Sequence, residues 1–505
     1  MAPAGSLAVA RRNRMVVSVP GLLLAGALTI IGALLIALLP NDLRGDTWIA
    51  LTAGREVAGH GIPHHETLTT VAHGRVWVDQ QWLAQLMLYE LERVGGLALI
   101  GFVDIALVLG ALVGAMWAAL RLGARRRSVA WILPLAVWGM LTGLEVRTQA
   151  LAYPMMVALL YLLAADGRRP SRTVWWCVPL LVLWGNLHGS ALMAAGLVTL
   201  RGVTVAWGRR RELARTPRAW AKPVGLALAG PASLIVNPYG LGVASYYRAT
   251  VFNPAFRKLI AEWAPAWHEP ATLIAVLSLS VVAVWGVTRH RRRTMLWERC
   301  ALLVLAVGGL VAVRNVPWFA LGALVLLPVW IDPSAGAAPA APAAAWRTRW
   351  APVAAAGVAA LGAVWLVQGA ANTVGANATT LTPEFPAGAL AMVRNEIDAH
   401  PGWRVYADDT LADWLLWELP ALHGRVVADA RFELMGSAQL NSQVHLVSAS
   451  GAGWKRAARG CRLLVIDPVS YRHAATGFER EPGARTVYRS VHAVVIVRTA
   501  AGATA

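Results

Sequence analysis

A series of long apolar runs constrains this chain more than any other feature of its sequence. A helix needs roughly 20 apolar residues to cross the hydrocarbon layer of a bilayer. Only 14% of the residues are charged and 57% are hydrophobic, a composition typical of membrane proteins. We therefore predict an all-α polytopic membrane domain with about eleven transmembrane helices. The predicted spans lie near 16–39, 97–120, 129–146, 149–165, 174–187, 190–207, 223–240, 271–288, 299–314, 316–332 and 351–369.

Basic clusters between the apolar runs indicate the orientation of these spans. The formal net charge of +19 would suggest nucleic-acid binding in a soluble protein. With eleven spans, however, every cluster falls on one side of the membrane, and the positive-inside rule makes that side the cytoplasm. We predict a cytoplasmic N-terminus, an extracytoplasmic C-terminal region and no nucleic-acid partner. The clusters are Arg11, Arg12 and Arg14; Arg121 and Arg125 to Arg127; Arg168, Arg169 and Arg172; Arg209 to Lys222; Arg289 to Arg299; and Arg347 with Arg349.

The span count depends on two short pairs, 174–187 with 190–207 and 299–314 with 316–332. If either pair is one broken or re-entrant element, the count changes by up to two. An even count would break the alternation of the basic clusters, so the charges favour eleven. The bias towards Ala, Arg and Gly indicates a bacterium with GC-rich DNA, and we predict the bacterial cytoplasmic membrane as the location.

The predicted transmembrane domain covers residues 1–370 and includes a long first outer loop at 40–96. In that loop Asp46 precedes an apolar periodic stretch, as an N-cap residue precedes a helix. Asp79 stands in the same relation to a second stretch, from Gln80 to Val94. We predict two helices that lie in the membrane interface.

A soluble extracytoplasmic α/β domain is predicted for residues 381–505, after a linker at 371–380. Another linker, rich in Ala and Pro, is predicted at 332–346. The patterning of the C-terminal domain indicates one amphipathic helix and four short buried strands, an alternation typical of small α/β domains. These elements are Ala387–Ala399, Trp403–Ala407, Arg425–Ala428, Arg462–Ile466 and Ala493–Arg498.

Candidate catalytic residues lie at the predicted outer ends of the spans. Asp46 lies at the depth of a lipid headgroup, where a carboxylate can take a proton from an acceptor hydroxyl; on spacing alone, a helix N-cap is an equal interpretation. His188 and Arg314 interrupt apolar hairpins, and ionisable residues in such places are functional candidates. A hydrogen-bonded core histidine and a snorkelling arginine are the structural alternatives. Glu262 is a second carboxylate candidate, with a solvated surface role slightly favoured.

Other polar residues of the outer turns carry weaker signals. His64, His65 and Glu66 resemble a metal cluster, but neighbouring side chains of an extended chain point in opposite directions, which favours a polar turn. Asp79 is favoured as a helix cap. The cysteines indicate neither a disulfide framework nor a zinc site, because they lie far apart in the sequence; they are Cys177, Cys300 and Cys461.

Several stretches together resemble a group of bacterial multi-span proteins related to the GT-C superfamily, which includes glycosyltransferases that use polyprenyl-phosphate sugars. No motif of a hydrolase, ATPase or dehydrogenase occurs in a fitting context. The stretches that carry the resemblance are Asp46-Thr47-Trp48, Gly54, Gly61-Ile62-Pro63, Gly74 with Trp77 to Leu83, Trp184 to Gly189, Asn237 to Gly240, Glu262-Trp263, Arg314-Asn315 and Ala428 to Glu433.

This resemblance implies a GT-C-like transmembrane domain with an acidic catalytic base in the first outer loop, a role that Asp46 would inherit. It also implies a lipid-linked donor that enters from the bilayer. Many GT-C loops have two adjacent acidic residues, whereas Thr47 follows Asp46 here. We assign substrate binding to residues of the outer face, namely His188, Arg314, Asn315, Glu262, Asn237, Tyr239, His64, His65 and Asp79.

The sequence thus favours a glycosyltransferase that moves a sugar from a polyprenyl-phosphate donor to an extracytoplasmic glycan, lipid or protein acceptor. No cofactor is assigned, and a requirement for a divalent metal stays open. Two alternatives also remain: a transporter of a lipid-linked glycan, and a non-catalytic protein that binds or assembles envelope glycans. The missing second acidic residue keeps the non-catalytic alternative open.

Overall fold

A computed structural model of the chain describes residues 19–142, 145–213, 215–251, 253, 255–332, 351–376, 378–451 and 453–499. The basic residues predicted at 11–14 and at 347 and 349, and almost all of the 332–346 linker, lie outside these residues. The N-terminal part consists mainly of α-helices. Its helices are α1 Val19–Asp42, α2 Gly45–His60, α3 Trp82–Arg121, α4 Arg126–Leu141, α5 Ala152–Arg168, α6 Cys177–Leu187, α7 Ala191–Gly208, α8 Arg210–Leu213, α9 Ala221–Leu234, α10 Val243–Val251, α11 Phe256–Leu259, α12 Pro270–Arg289, α13 Leu296–Val311, α14 Val316–Ile331 and α15 Ala351–Val374.

Helices occupy every position at which a span was predicted, but they differ in length. Seven helical segments of the described chain are long and apolar enough to cross a membrane. The helices at the other four predicted positions, α4, α6, α9 and α13, have 16, 11, 14 and 16 residues. The chain is therefore a helical protein with several membrane-spanning candidates, and the count of eleven remains a prediction. The seven segments are Gly21–Asp42, Trp82–Arg121, Thr148–Arg168, Ala191–Gly208, Pro270–Arg289, Val313–Ile331 and Val353–Val374.

Helix α14 is the centre of the helical domain. Fifteen of its residues, Val316 to Trp330, are buried, because the helix is apolar on all faces and packs against α3, α4, α5, α12 and α13. A short 3₁₀ turn, Val313–Asn315, precedes it. The burial of α14 therefore fixes the position of Arg314 and Asn315.

The two helices of the first outer loop begin at positions that differ from the prediction. Helix α2 begins at Gly45 after Arg44, so Asp46 lies in the first turn and the N-cap interpretation is wrong. Helix α3 begins at Trp82 after Gln81, so Asp79 does not cap it either. The predicted end of the second outer helix is confirmed by a break in α3 at Gly95 and Gly96, where Gly96 adopts a φ of 65° that favours glycine.

Helix α2 is enclosed by protein on several sides. Trp48 is 1% exposed and packs edge-on against Phe385 of the C-terminal domain. Gly54 faces α3 so closely that a Cβ there would stand 2.2 Å from the carbonyl oxygen of Gln85. The first turn of α2 is held by Thr47, which donates a hydrogen bond of 2.5 Å to the Val146 carbonyl.

The C-terminal domain contains one four-stranded sheet in the order β1-β2-β4-β3, in which β1 and β2 are parallel and the other neighbours are antiparallel. The predicted helix Ala387–Ala399 is confirmed, as are three of the predicted strands. The fourth, Arg425–Ala428, forms isolated bridges from Val426 to Thr69 and Val405. The elements are α16 Ala378–Leu381, α17 Ala387–Ala399, β1 Val405–Ala407, α18 Asp409–Glu418, α19 Ser437–Ser448, β2 Leu463–Ile466, α20 Arg472–Glu479, β3 Arg485–Arg489 and β4 Val494–Val497.

The junction between the two domains is more ordered and more extensive than predicted. Much of the predicted linker at 371–380 is helical, since α15 extends to Val374 and α16 begins at Ala378. One apolar core joins Leu51 of α2 to Leu415 of α18 and Val465 of β2. The first outer loop and the C-terminal domain are therefore packed together, and the space between them contains the candidate site.

Candidate active site

A cavity of about 590 Å³ lies where the outer turns of the helical domain meet the C-terminal domain. It is lined by six of the ten residues that the sequence singled out, although these are spread over the chain from the first outer loop to the turn before α14. The six residues are Asp46, Asp79, His188, Glu262, Arg314 and Asn315.

Arg147 is the central charge of this cavity. Its side chain is 4% exposed, and its Nη1 atom lies 3.3 Å from Asp46 Oδ2 and 3.5 Å from Glu145 Oε2. The same nitrogen contacts Glu262 Oε1. Three carboxylates thus converge on a single guanidinium nitrogen. The other two nitrogens, Nε and Nη2, are buried and have no hydrogen-bond acceptor among the described residues.

The three carboxylates have different electrostatic surroundings. Burial raises the pKa of Glu145 to about 7, against the opposing effect of Arg147. Burial also acts to raise the pKa of Glu262, but the charges of Arg147 and Arg314 outweigh it and the net direction is downward. Asp46 has a side chain that is 49% exposed, so it is the most accessible of the three. The cluster therefore combines a solvent-accessible carboxylate, Asp46, with two that are less exposed.

Arg314 supplies a second cation to the cavity. Its guanidinium lies 4.7 Å from the centre of the Trp263 ring, and no ion pair or hydrogen bond joins it to another described residue. The turn that carries it is fixed by the Val313 amide, which donates to the Ala264 carbonyl at 3.0 Å. The side-chain amide of Asn315 donates to the Gly308 carbonyl at 3.2 Å and so stabilises the turn. Arg314 is free to contact an anionic ligand.

His188 is a neutral hydrogen-bond donor in this arrangement. The backbone N–H of Ser190 donates to His188 Nδ1 at 3.1 Å, which leaves the proton on Nε2. The Ser190 hydroxyl also lies 2.7 Å from Nδ1 and accepts from Trp184 Nε1 at 3.0 Å. Burial, together with the charges of Arg314 and Arg147, holds the pKa of His188 well below its usual range. His188 is therefore suited to donating a hydrogen bond and unsuited to acting as a base at Nε2.

Asp79 and Gln80, which precede α3, form another part of the cavity wall. Both side chains are 2% exposed, and Asp79 Oδ2 and Gln80 Oε1 have no donor among the described residues. Burial raises the pKa of Asp79 to about 7, and the nearby charge of Arg431 opposes this. Gln80 Nε2 donates to the Gly185 carbonyl at 2.8 Å, which fixes the orientation of its amide.

The C-terminal domain contributes the remaining wall, including Asp409, Asp413 and Arg431. Asp409 accepts a hydrogen bond of 2.8 Å from the Tyr471 hydroxyl. Asp413 is fully buried; its Oδ1 accepts from the Ala430 amide, and its Oδ2 has no described donor. These residues follow or flank parallel strand β1, at the end where α/β sheets commonly bind ligands.

Arg431 links this domain to the first outer loop through an ion pair. Its Nη1 lies 2.6 Å from Glu66 Oε2, its Nε donates to Asp429 Oδ2 at 3.0 Å, and its guanidinium stacks 4.4 Å from the Trp77 ring centre. Glu66 therefore belongs to a buried ion cluster and not to a polar surface turn. Asp429 belongs to the same ion cluster, since it pairs with Arg431.

Four predicted substrate-binding residues do not line the cavity, because they form turns beside it. Asn237 Oδ1 accepts from the Tyr239 amide at 2.7 Å, and the Tyr239 hydroxyl donates to the Pro63 carbonyl at 2.8 Å. His64 is exposed and its ring lies 5.5 Å from that of Tyr239. His65 is exposed and pairs with Val76 through a β-bridge. Among the described residues, no group of three or more His, Cys, Asp or Glu side chains has the geometry of a metal site.

Glu145 and Arg147 were not among the site residues predicted from the sequence. The signal that could have identified them is an arginine between two apolar runs, which is costly unless it is paired. Comparison with protein-family models finds no match for this chain, and no curated protein sequence matches it significantly. The site must therefore be interpreted from its own chemistry.

Proposed function

We propose that this protein is a membrane glycosyltransferase that moves a sugar from a polyprenyl-phosphate donor to an acceptor of the bacterial cell envelope. The observation that carries the proposal is one cavity at the ends of apolar helices that combines an accessible carboxylate, Asp46, with two cations, Arg147 and Arg314. These are the groups that the transfer of a sugar from a lipid phosphate requires.

The proposed reaction inverts the configuration of the sugar in a single displacement. An acceptor hydroxyl oxygen attacks the anomeric carbon, and the bond from that carbon to the phosphate oxygen breaks with its electron pair going to the phosphate. The hydroxyl proton passes to Asp46. The products are a new glycosidic bond and polyprenyl phosphate.

The cations and His188 are assigned to the phosphate. Arg147 has two buried N–H nitrogens without acceptors, and Arg314 has no ion-pair partner among the described residues. A guanidinium can bind phosphate through two parallel hydrogen bonds, and its charge stabilises the negative charge that develops on the leaving group. His188 Nε2–H adds a neutral donor.

Apolar residues at the cavity edge support access from the bilayer. Leu192 in the first turn of α7 is 38% exposed, and Val251 at the end of α10 is 44% exposed. Both residues line the cavity, and α7 is one of the membrane-spanning candidates. A donor with its chain in the lipid could therefore bring its phosphate to Arg314 without leaving the membrane.

Glu145 and Glu262 supply further carboxylates near Asp46, whose neighbour in the sequence is not acidic. They come from separate outer turns yet share Arg147 with Asp46, so the cavity holds several carboxylates even though Thr47 follows Asp46. This arrangement supports the enzyme over the non-catalytic alternative. With eleven spans and a cytoplasmic N-terminus, the cavity would open on the extracytoplasmic side of the cytoplasmic membrane.

The proposal is tested with Asp46→Asn, which keeps the shape of the side chain but removes the base. Purified protein is incubated with synthetic polyprenyl-phosphate hexoses and pentoses and an envelope-glycan extract, and the release of polyprenyl phosphate is measured. We expect release by the wild type and a loss of at least about 100-fold in Asp46→Asn, the scale of general-base catalysis. Asp398→Asn, at an exposed position of α17, is the matched control and should keep full activity. Equal rates for Asp46→Asn and wild type would refute the assignment of the base.

A further inference from the structure

Gly189 packs closely against two polar oxygen atoms of the cavity wall. A Cβ at this position would lie 3.0 Å from the Tyr246 hydroxyl and 3.2 Å from Gln80 Oε1. Gly189 follows His188 and, like Gln80 and Tyr246, lines the cavity. A side chain at residue 189 would therefore crowd both oxygens.

This part of the cavity wall contains two acceptor atoms without a hydrogen-bond donor. Gln80 Oε1 and Asp79 Oδ2 are buried acceptors with no donor among the described residues, although a buried polar atom normally has a partner. The Gln80 amide cannot turn over without losing its bond to the Gly185 carbonyl, so its oxygen lies beside Gly189. The hydroxyl of Tyr246 can either donate or accept. A matching ligand must therefore present hydrogen-bond donors.

We propose that Asp79, Gln80 and Tyr246, around Gly189, form a subsite that binds the hydroxyl groups of the transferred sugar. The inference rests on the proposed glycosyltransferase function and names the part of the same cavity that selects the sugar. The cation-rich side, with Arg147 and Arg314, would hold the phosphate, and this acceptor-rich side would hold the ring. The two sides together orient the anomeric carbon towards Asp46.

Hydroxyl groups match the hydrogen-bonding capacity of this subsite. Hydroxyls donate to carboxylate and amide oxygens without adding charge, and a site built to bind a hydroxyl discriminates strongly against an analogue that lacks it. The subsite would therefore contribute to specificity for the number and position of hydroxyls on the sugar.

The subsite is tested by direct binding, which does not depend on transfer. Methyl glycosides of a neutral hexose, a neutral pentose and deoxy analogues of the hexose are titrated into the purified full chain, and binding is followed by saturation-transfer NMR. Gly189→Ala removes no polar group but crowds both oxygens. Gly196→Ala, in helix α7 with no atom within 4 Å of the new Cβ, is the matched control.

We expect the wild type and Gly196→Ala to bind a neutral glycoside and Gly189→Ala to bind it at least about tenfold more weakly, the factor for losing hydrogen bonds to two neutral oxygens. Asp79→Asn, checked for an unchanged melting temperature, should weaken binding similarly. Equal binding by Gly189→Ala and wild type, no binding of neutral glycosides by wild type, or equal binding of every deoxy analogue would each overturn the subsite. Binding of glycosides tests the sugar subsite, whereas transfer by wild type and Asp46→Asn tests the glycosyltransferase function. A negative result in one assay therefore does not decide the other.

Discussion

At the scale of single residues, the candidate site depends on the buried guanidinium of Arg147. Its side chain is almost fully enclosed, and a buried guanidinium is tolerated only when it is paired. Asp46, Glu145 and Glu262 pair with one of its nitrogens and leave the other two without acceptors. Arg147 therefore neutralises carboxylates through one nitrogen and keeps two nitrogens for hydrogen bonds to an anionic ligand.

Replacing Arg147 with methionine should destabilise the protein strongly. Removing one partner of a buried ion pair leaves the other uncompensated, and this typically costs about 3 kcal/mol or more. The free energy of unfolding is measured by denaturant titration in mixed micelles. Arg248→Met, which changes an exposed arginine of α10, is the matched control and should have little effect.

A second substitution separates the loss of charge pairing from the loss of packing. Adding Glu145→Gln to Arg147→Met removes one of the uncompensated carboxylates, so part of the lost stability should return. No recovery in the double variant, or wild-type stability in Arg147→Met alone, would show that the carboxylates do not depend on this cation.

The residues that the sequence identified correctly as neighbours share one property. Asp46, His188 and Arg314 each stand at the predicted outer end of a span, so topology alone predicted that they face the same side. Arg147 stands there too, but its partners are about 100 residues away in sequence, Asp46 and Glu262, and no local pattern reveals that pairing.

At the scale of secondary-structure elements, close packing of α2 on α3 determines the position of Asp46. Gly54 is the point of closest approach, because a Cβ there would lie 2.2 Å from the Gln85 carbonyl oxygen and 2.8 Å from Tyr89 Cβ. Gln85 itself lines the cavity. A side chain at residue 54 would therefore push α2 away from α3, the helix that contributes Gln85 to the cavity wall.

Gly54→Ala should lower both stability and any transfer activity. Overpacking of this kind costs about 1–3 kcal/mol, and separation of the helices displaces Asp46 from Arg147. Gly59→Ala, later in the same helix with nothing within 4 Å of the new Cβ, is the control; alanine should be neutral or stabilising there. Melting temperature and polyprenyl-phosphate release are compared, and a Gly54→Ala variant as stable as Gly59→Ala would contradict the packing argument.

Elements with a strong apolar pattern were predictable and those without it were not. Helix α17 has the predicted bounds because an apolar stripe, including Ala389, Val393 and Ile397, packs inwards. Strand β3 was missed because its sequence, Arg485–Arg489, has charged ends and no buried residue. Arg425–Ala428 was predicted as a strand from its apolar residues, but it makes only single bridges to its neighbours.

At the scale of the whole molecule, the proposed function requires the cavity to face away from the cytoplasm. His65 is exposed in the first outer loop, and Arg209 is exposed directly after α7 in a predicted cytoplasmic segment. In spheroplasts, His65→Cys should react with a membrane-impermeant maleimide, whereas Arg209→Cys should react only after permeabilisation. The unmodified chain, in which Cys177 and Cys461 are buried, provides the background. The reverse pattern would place the site in the cytoplasm and contradict the proposed donor access.

The joining of the two domains is the whole-molecule feature that the sequence did not predict. The C-terminal segment has the composition of an independent domain, but Arg431 reaches Glu66 across 365 residues and the cavity depends on both domains. Four polar residues of the outer turns were assigned to the site, but they belong to turns beside it. They are His64, His65, Asn237 and Tyr239. The sequence does not distinguish a polar residue that binds a ligand from one that forms a turn.

The most direct test of the account is a cryo-electron microscopy structure of the full chain with a non-transferable polyprenyl-phosphonate sugar. We predict that the phosphonate lies within hydrogen-bond distance of Arg314 and of Arg147 Nε or Nη2, with the sugar between it and Asp46. A phosphonate bound elsewhere, or an empty cavity at saturating ligand, would contradict the proposed function.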